Sequence, residues 1–259
     1  MGETLVLADL HLSEDKPEII ERFLALENRL LHADALYILG DFVEVWVGDD
    51  APIPEALAPA LALLARLTQA GVPVFFQHGN RDFLLGNTLA RRIGMRLLPE
   101  RKIAEFYGHR VALLHGDTLC TDDLAYQSMR RKLRNPLSLF VLRHLPLGMR
   151  LKLASRLRER SKQAIGQKGA SIMDVNAQMV EKTMRRLGIN VMIHGHTHRA
   201  AIHRLHDGRL KHGLRAVLGD WEDAAVLLSV TSAGLSLERI EQRHVTQLYF
   251  EPWPRELEP

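Results

Sequence analysis

Leu5-Val6-Leu7-Ala8-Asp9-Leu10-His11 runs from four aliphatic residues directly into a carboxylate and an imidazole two positions apart. The same pattern returns four times. Leu36-Tyr37-Ile38-Leu39 leads into Gly40-Asp41, Val72-Pro73-Val74-Phe75-Phe76 precedes Gly79-Asn80-Arg81-Asp82, Val111-Ala112-Leu113-Leu114 leads into His115-Gly116-Asp117, and Val191-Met192-Ile193 precedes Gly195-His196-Thr197-His198. Runs this continuously apolar read as strands buried on both faces. The polar groups then fall just beyond the carboxyl ends of the strands, where open α/β sheets bind ligands.

Helical patterns separate the strands. Ile19, Ile20, Phe23, Leu24, Glu27, Leu30 and Leu31 recur at three-to-four spacing after Pro17, a residue suited to a first helical turn. A second helix is expected over 56–70, stopped by Gly71, and a third over 174–187, stopped by Gly188. From Leu214 the character changes to short apolar runs, Ala216-Val217-Leu218, Ala225 to Val230 and Leu235 to Glu238, separated by Gly, Asp or Ser and read as hairpins. The expected fold is α/β, a four-layer αββα sandwich of two mixed sheets with helices outside. The tail Glu251-Pro252-Trp253-Pro254 reads as an irregular, loosely held end.

Composition fits a globular enzyme. With 259 residues the chain can bury a full core, and its single cysteine, Cys120, excludes an internal disulfide and reads as a small buried apolar residue. The N-terminal apolar stretch is too short for a signal peptide, and no run approaches the roughly 20 apolar residues of a spanning helix.

Charge is unevenly distributed. Residues 130–168 hold twelve Lys and Arg against one Glu, a net of +11, so in a chain of net +3 the remainder carries −8. The same segment carries apolar clusters, including Leu137, Leu139, Phe140, Val141 and Leu142, with Pro136, Pro146 and Gly148 as breaks. It reads as a helical insertion over 122–170 emerging from the fourth strand. Three roles stay open for its basic face: a solvated helix surface, a nucleic-acid surface, or an anionic-membrane surface with apolar anchors. Sparse aromatics disfavour stacking on single strands, while bulky aliphatics favour lipid.

Asp9, His11, Asp41, Asn80, His115, His196 and His198 supply seven donors, which two divalent cations need if they share one carboxylate. Hard oxygens mixed with imidazole, and no thiolate, suit Mn²⁺, Mg²⁺, Fe²⁺ or Zn²⁺. Two such ions about 4 Å apart can clamp a phosphoryl group for in-line displacement. His194 fits no ligand role.

These motifs resemble the calcineurin-like metallophosphoesterases, whose pattern is D-x-H, G-D, G-N-H-[DE], a later His and G-H-x-H. Gly79-Asn80-Arg81-Asp82 departs from it, placing a permanently charged guanidinium where the pattern has an imidazole. With Gly40-Asp41-Phe42-Val43-Glu44-Val45-Trp46-Val47-Gly48-Asp49-Asp50, Met173-Asp174-Val175-Asn176 and the basic, apolar insertion, that departure is similar to the branch acting on UDP-2,3-diacylglucosamine in lipid A synthesis.

The resemblance implies a pyrophosphate hydrolase in which water activated by two divalent ions, Mn²⁺ first among them, attacks the uridine-side phosphorus to give UMP and 2,3-diacylglucosamine 1-phosphate. It implies that Asp9, His11, Asp41 and His198 hold one ion and Asp41, Asn80, His115 and His196 the other, with Asp41 bridging. Asp41, Asn80, Arg81, His115 and His196 would be catalytic. Asn80, Arg81, Asp123, Ser161, Ile165, Lys168 and His196 would contact substrate, with Ile165 at a position where that branch has a polar contact. Residues 1–121 and 171–259 would form the core and 122–170 an acyl-binding cap. The expected partners are the lipid nucleotide and an anionic membrane, without nucleic acid, for a cytoplasmic monomer peripheral to the inner membrane. The open alternative is a metal-dependent nuclease or another phosphodiesterase. A metal-free scaffold is disfavoured because all seven donors are present.

Overall fold

The computed structural model describes residues 2–167, 174–205, 212–241 and 244–254, with the backbone alone along 160–167. The chain runs β1 (Thr4–Leu7), α1 (Pro17–Leu24), α2 (Glu27–Leu31), β2 (Ala35–Ile38), α3 (Ala58–Gln69), β3 (Val74–Phe76), α4 (Asn87–Ile93), β4 (Arg96–Leu97), β5 (Arg101–Phe106) and β6 (His109–Leu114). There follow α5 (Leu124–Arg134), α6 (Pro136–His144), α7 (Leu147–Gln167), α8 (Ala177–Leu187), β7 (Val191–His194), β8 (Ala201–Leu205), β9 (Gly213–Val217), β10 (Ala225–Thr231), β11 (Gly234–Glu241) and β12 (His244–Pro252).

Two mixed sheets result. One has the order β12-β11-β10-β1-β2-β3-β4, the other β5-β6-β7-β9-β8. Strands β1 to β4 pair in parallel, with Leu5 opposite Leu36 and Leu36 opposite Val74, and β10 closes on β1 antiparallel. In the second sheet β6, β7 and β9 are parallel, with antiparallel β5 and β8 at its edges.

Alternation along the strands separates the layers. Leu5, Leu7, Leu36 and Ile38 pack with Phe23 of α1 and Leu63 and Leu67 of α3. Their neighbour Val6, with Leu228 and Val230, packs with Val111, Leu113, Val191 and Ile193 of the other sheet. On that sheet's far side Ala112, Leu114 and Met192 meet Val180 and Met184 of α8. Helices thus cover the outer faces and the two sheets share the inner core, in agreement with the expected sandwich.

Two expectations change, and edge strands appear that no sequence pattern marked. The continuous helix expected from Pro17 to Leu31 is two helices, and the break lets Leu26 and Leu30 enter the same core as Phe23. Strands β5 and β8 had no apolar signature because edge strands tolerate charge. The tail is not loose: Glu251 pairs with Leu235, and Trp253 stacks on His109 at 4.3 Å and donates Nε1–H to the Thr231 carbonyl at 2.9 Å.

Among the described residues, three consecutive α-helices stand between β6 and α8. Asp123 caps α5 by accepting from the Tyr126 amide, and Asn135 caps α6 by accepting from the Ser138 amide ahead of a first-turn Pro136.

Candidate metal centre

Among the described residues, six non-glycines have left-handed backbone: Asp9 (φ 57°), His11 (51°), Asp41 (52°), Tyr107 (50°), His196 (70°) and His198 (58°). Tyr107 turns the β5–β6 hairpin; the other five are the carboxylates and imidazoles that follow β1, β2 and β7. Such backbone costs on the order of 1–3 kcal/mol per residue and persists only where its surroundings enforce it. Here the strand-end loops hold one another. The Asp9 amide donates to the Gly40 carbonyl at 3.1 Å and the His11 amide to the Asp41 carbonyl at 2.9 Å. Asp9 Oδ2 accepts the His196 amide at 2.7 Å, and Asp41 Oδ1 accepts the Arg81 amide at 2.8 Å. Two glycines make room: a Cβ on Gly79 would lie on the Asp41 carboxylate, and one on Gly195 on that of Asp9. Asp82 ties the second and third loops, its two oxygens accepting the amides of Phe42 and Gly79, both at 2.8 Å.

The predicted donors converge. Ligand atoms of Asp9, His11 and His198 lie within 4.8 Å of one another, and so do those of Asp9, Asp41 and His115. Asp41 Oδ2 stands between the groups, 3.7 Å from His11 Nε2 and 3.7 Å from His115 Nε2. Asn80 Oδ1 is 3.0 Å from His115 Nε2, and the His196 ring packs edge-on to that of His115 at 5.0 Å. Second partners orient the imidazoles: His11 Nδ1 faces Glu44 Oε2 at 2.9 Å and His115 Nδ1 the Leu39 carbonyl at 2.9 Å, which leaves both Nε2 atoms for a cation. Asp9 Oδ1 is buried without a hydrogen-bond partner, an acceptor whose surroundings suit a cation.

Charge reinforces the geometry. Burial alone would raise the Asp41 carboxyl, but His115, His11 and the Arg81 amide hold it at about 2, ionised. Burial likewise opposes protonation of His11, yet Glu44, Asp41 and Asp9 raise it to about 9, so a metal ion binding there displaces a proton. Burial and the neighbouring His115 push His196 down to about 3, a neutral ring. His194, buried beside Arg215, is pushed to about 3 and faces the Gly195 carbonyl.

Two cavities meet at the centre. One, of about 210 Å³, is lined by Asp9, His11, Glu44, Arg81, Arg158 and His198. The other, of about 110 Å³, is walled by Trp46, Phe83, Leu133, Leu142, Leu153 and Leu157 from the loops and from α5, α6 and α7, and it reaches Asn80 and Arg81. Glu44, Arg81 and Arg158 line both. A larger groove of about 710 Å³ between α1 and β10–β11 contains none of these donors.

Residues 3–200 match the calcineurin-like phosphoesterase family. The chain belongs to that family. This phosphoesterase is 51% identical over 237 residues to a UDP-2,3-diacylglucosamine hydrolase of Serratia proteamaculans, covering 90% of this chain and 97% of the relative. It is 50% identical to the protein of that name from Proteus mirabilis, over 90% and 97%, and 48% identical to that from Pseudomonas fluorescens, over 90% and 93%. Its fold is similar to Vacuolar Protein Sorting 29 of Cryptosporidium parvum (TM-score 0.50, 12% identity, 98% of each chain). It also matches GAP50 of Plasmodium (TM-score 0.52, 11% identity, 99% of this chain and 89% of that one). These structural likenesses concern the fold alone. The family works with divalent metal, and the donor set fits it.

The remaining sequence-predicted contacts are less concentrated. Asp123 serves as the α5 cap. The backbone of Ser161 and Ile165 lies in α7 with side chains outside the described part, and Lys168 lies outside the described residues. Phe140 is 61% exposed and does not line the apolar cavity, whereas Leu142 two residues on is 7% exposed and walls it. Beside these donors stand residues that the sequence left without a role: Glu44, Asp82, and Asp220, whose Oδ2 is 3.6 Å from His198 Nδ1. Asp220 carried the same signal as Asp41, an apolar run ending in Gly-Asp. Buried Asp117 accepts the Tyr126 hydroxyl at 2.9 Å and Arg130 Nε–H at 2.6 Å, tying α5 to the loop that bears His115.

Proposed function

We propose that this phosphoesterase hydrolyses UDP-2,3-diacylglucosamine, the substrate in its relatives' names, and that the products are UMP and 2,3-diacylglucosamine 1-phosphate. The observation that supports it is the apolar cavity opening at Asn80 and Arg81 beside the metal centre, which offers acyl chains a dry wall one side chain from where a pyrophosphate would be cleaved. In this reading residues 1–121 and 171–259 form the catalytic core and 122–170 the lipid-binding cap.

Asp9, His11, Asp41 and His198 would hold one ion, and Asp41, Asn80, His115 and His196 the other. Bound there, divalent ions, Mn²⁺ in our reading, would supply a nucleophile at neutral pH and neutralise phosphoryl charge. The oxygen added to the uridine-side phosphorus remains in UMP, and the bond from that phosphorus to the bridging oxygen breaks, its electron pair leaving on the diacylglucosamine phosphate. Such a group departs as an anion without needing a proton, which accounts for Arg81 where related motifs carry His. Arg81 cannot act as an acid near neutrality but can brace phosphoryl oxygens with a planar fork. Its backbone N–H orients Asp41, and its side chain lines both cavities that meet at the centre.

The outer surface of the cap would face an anionic membrane, on the cytoplasmic side of the inner membrane, with the protein acting as a monomer. Leu137, Phe140, Val141, Met149 and Leu151 are exposed there, interleaved with exposed Arg131, Lys132, Arg143, Lys152 and Arg156. Not every basic residue serves that face. Arg150 turns inward to Asp50 and the Val47 carbonyl, and Arg130 to Asp117. No helix among the described residues is long and apolar enough to cross a membrane.

The test assays purified protein in Mn²⁺ against the lipid nucleotide and against DNA and RNA. Release of UMP with no nucleic-acid cleavage is expected; nuclease activity without UMP release would overturn the reading.

A further inference from the structure

Glu44 joins parts of the chain that are otherwise separate. Its backbone amide donates to the Leu12 carbonyl at 3.0 Å, fixing the loop after β2 against the loop after β1. Its two oxygens then diverge. Oε2 meets His11 Nδ1 at 2.9 Å, while Oε1 lies 3.1 Å from Nε of Arg158, a residue of α7, and 3.8 Å from Nη1 of Arg81. Arg158 Nη2 is also 3.6 Å from Asp15, so the guanidinium is shared between two acids.

The other imidazoles differ. His115 leans on a backbone carbonyl, and the carboxylate partner of His198 stands off at 3.6 Å. Among the described residues the orienting partner of His11 is thus a half-buried carboxylate that is itself ion-paired with a cation from the insertion. His11 has left-handed backbone, so its main chain sits in a sparsely populated state that the surrounding contacts maintain. A hydrogen bond at Nδ1 sets the tautomer and aims Nε2.

We propose that Glu44 is a positioning residue that couples the metal centre to the cap, one oxygen aiming the His11 ring at its ion and the other anchoring Arg158, and with it α7, over the metal pocket. The coupling is physical: Glu44 is the side chain both contacts share, and disturbing it loosens both ends. The proposal rests on His11 being a metal ligand, which titration of the wild type examines separately.

The experiment uses the full chain with two readouts that need no substrate. Mn²⁺ is titrated into the stripped protein by calorimetry, and amide hydrogen exchange is followed along α7 in the Mn²⁺-loaded form. Glu44→Ala should weaken Mn²⁺ binding about 10–100-fold, the usual effect of losing an outer-shell partner, and speed α7 exchange. Glu44→Gln keeps an oxygen for His11 Nδ1–H but loses the charge that holds Arg158. It should bind Mn²⁺ near wild-type affinity and still show faster α7 exchange, which also guards against an alanine variant that fails to fold. Wild-type Mn²⁺ affinity in Glu44→Ala, or unchanged α7 exchange in both variants, overturns the proposal. A wild type that takes up no Mn²⁺ would instead overturn the ligand assignment beneath it.

Discussion

Replacing Asp82 with Ala removes a side chain that straps the loop carrying Asp41 to the loop carrying Asn80 and Arg81. The carboxylate is fully buried, and its oxygens accept the amides of Phe42 and Gly79 at 2.8 Å each. In the variant both amides stay buried without an acceptor. Leaving a buried donor unpaired costs about 1–3 kcal/mol, so two give about 2–6 kcal/mol, a large part of the roughly 5–15 kcal/mol that holds a typical domain together. Asp82→Asn retains one acceptor oxygen and turns an amide group toward the second N–H, so about half that loss is expected. Urea unfolding of the metal-free protein measures the stability, and Mn²⁺ content after dialysis measures the loops. Because Asp41 owes its left-handed backbone to these same loops, metal retention should fall with stability. An alanine variant that unfolds within about 1 kcal/mol of the wild type and keeps its metal would refute the strap.

Asp41→Ala should lose Mn²⁺ and turnover together, whereas Arg81→Ala should keep its metal and lose turnover. Arg81→Lys should rescue little, since a point charge replaces two aligned donors; metal analysis beside a UMP-release assay separates the cases. Leu142→Ser should raise KM for the diacylated substrate even at high salt, because it puts a hydroxyl in the cavity wall. Exposed Phe140→Ser should spare KM in detergent and weaken sedimentation with anionic vesicles. Glu3 gives a pH signature. Burial raises its carboxyl, but the two-pronged Arg29 contact, at 2.6 and 3.1 Å, and the Ser229 hydroxyl outweigh this and hold it below the ordinary Glu value. A depressed carboxyl contributes stability above its unfolded value of about 4.3, and that contribution is lost as pH falls through the folded value. Glu3→Gln should therefore melt lower than wild type at pH 7, and the gap should close as the pH is taken below about 4.

The sandwich and the convergence of the seven donors were legible because both are written in local patterns. An apolar run ending in Asp, Asn or His reports a buried strand and its functional end within a dozen residues, and all seven donors converge where the strand ends place them. What depends on distant partners was not legible. Strand β12 is exposed along most of its length and exists because β11 pairs with it, and Trp253 is held by His109 and Thr231. Charge counting along 130–168 assigned the basic residues to one face, but burial turned Arg130, Arg150 and Arg158 toward Asp117, Asp50 and Glu44. The sequence by itself determined which chemistry the strand ends could carry, since donor type and spacing are properties of the chain. Only the tertiary structure decided that Leu142 walls the apolar cavity while Phe140 faces outward, and that Glu44 spans metal ligand and cap. Those outcomes depend on how helices and loops far apart in sequence pack against one another, and no local periodicity encodes that.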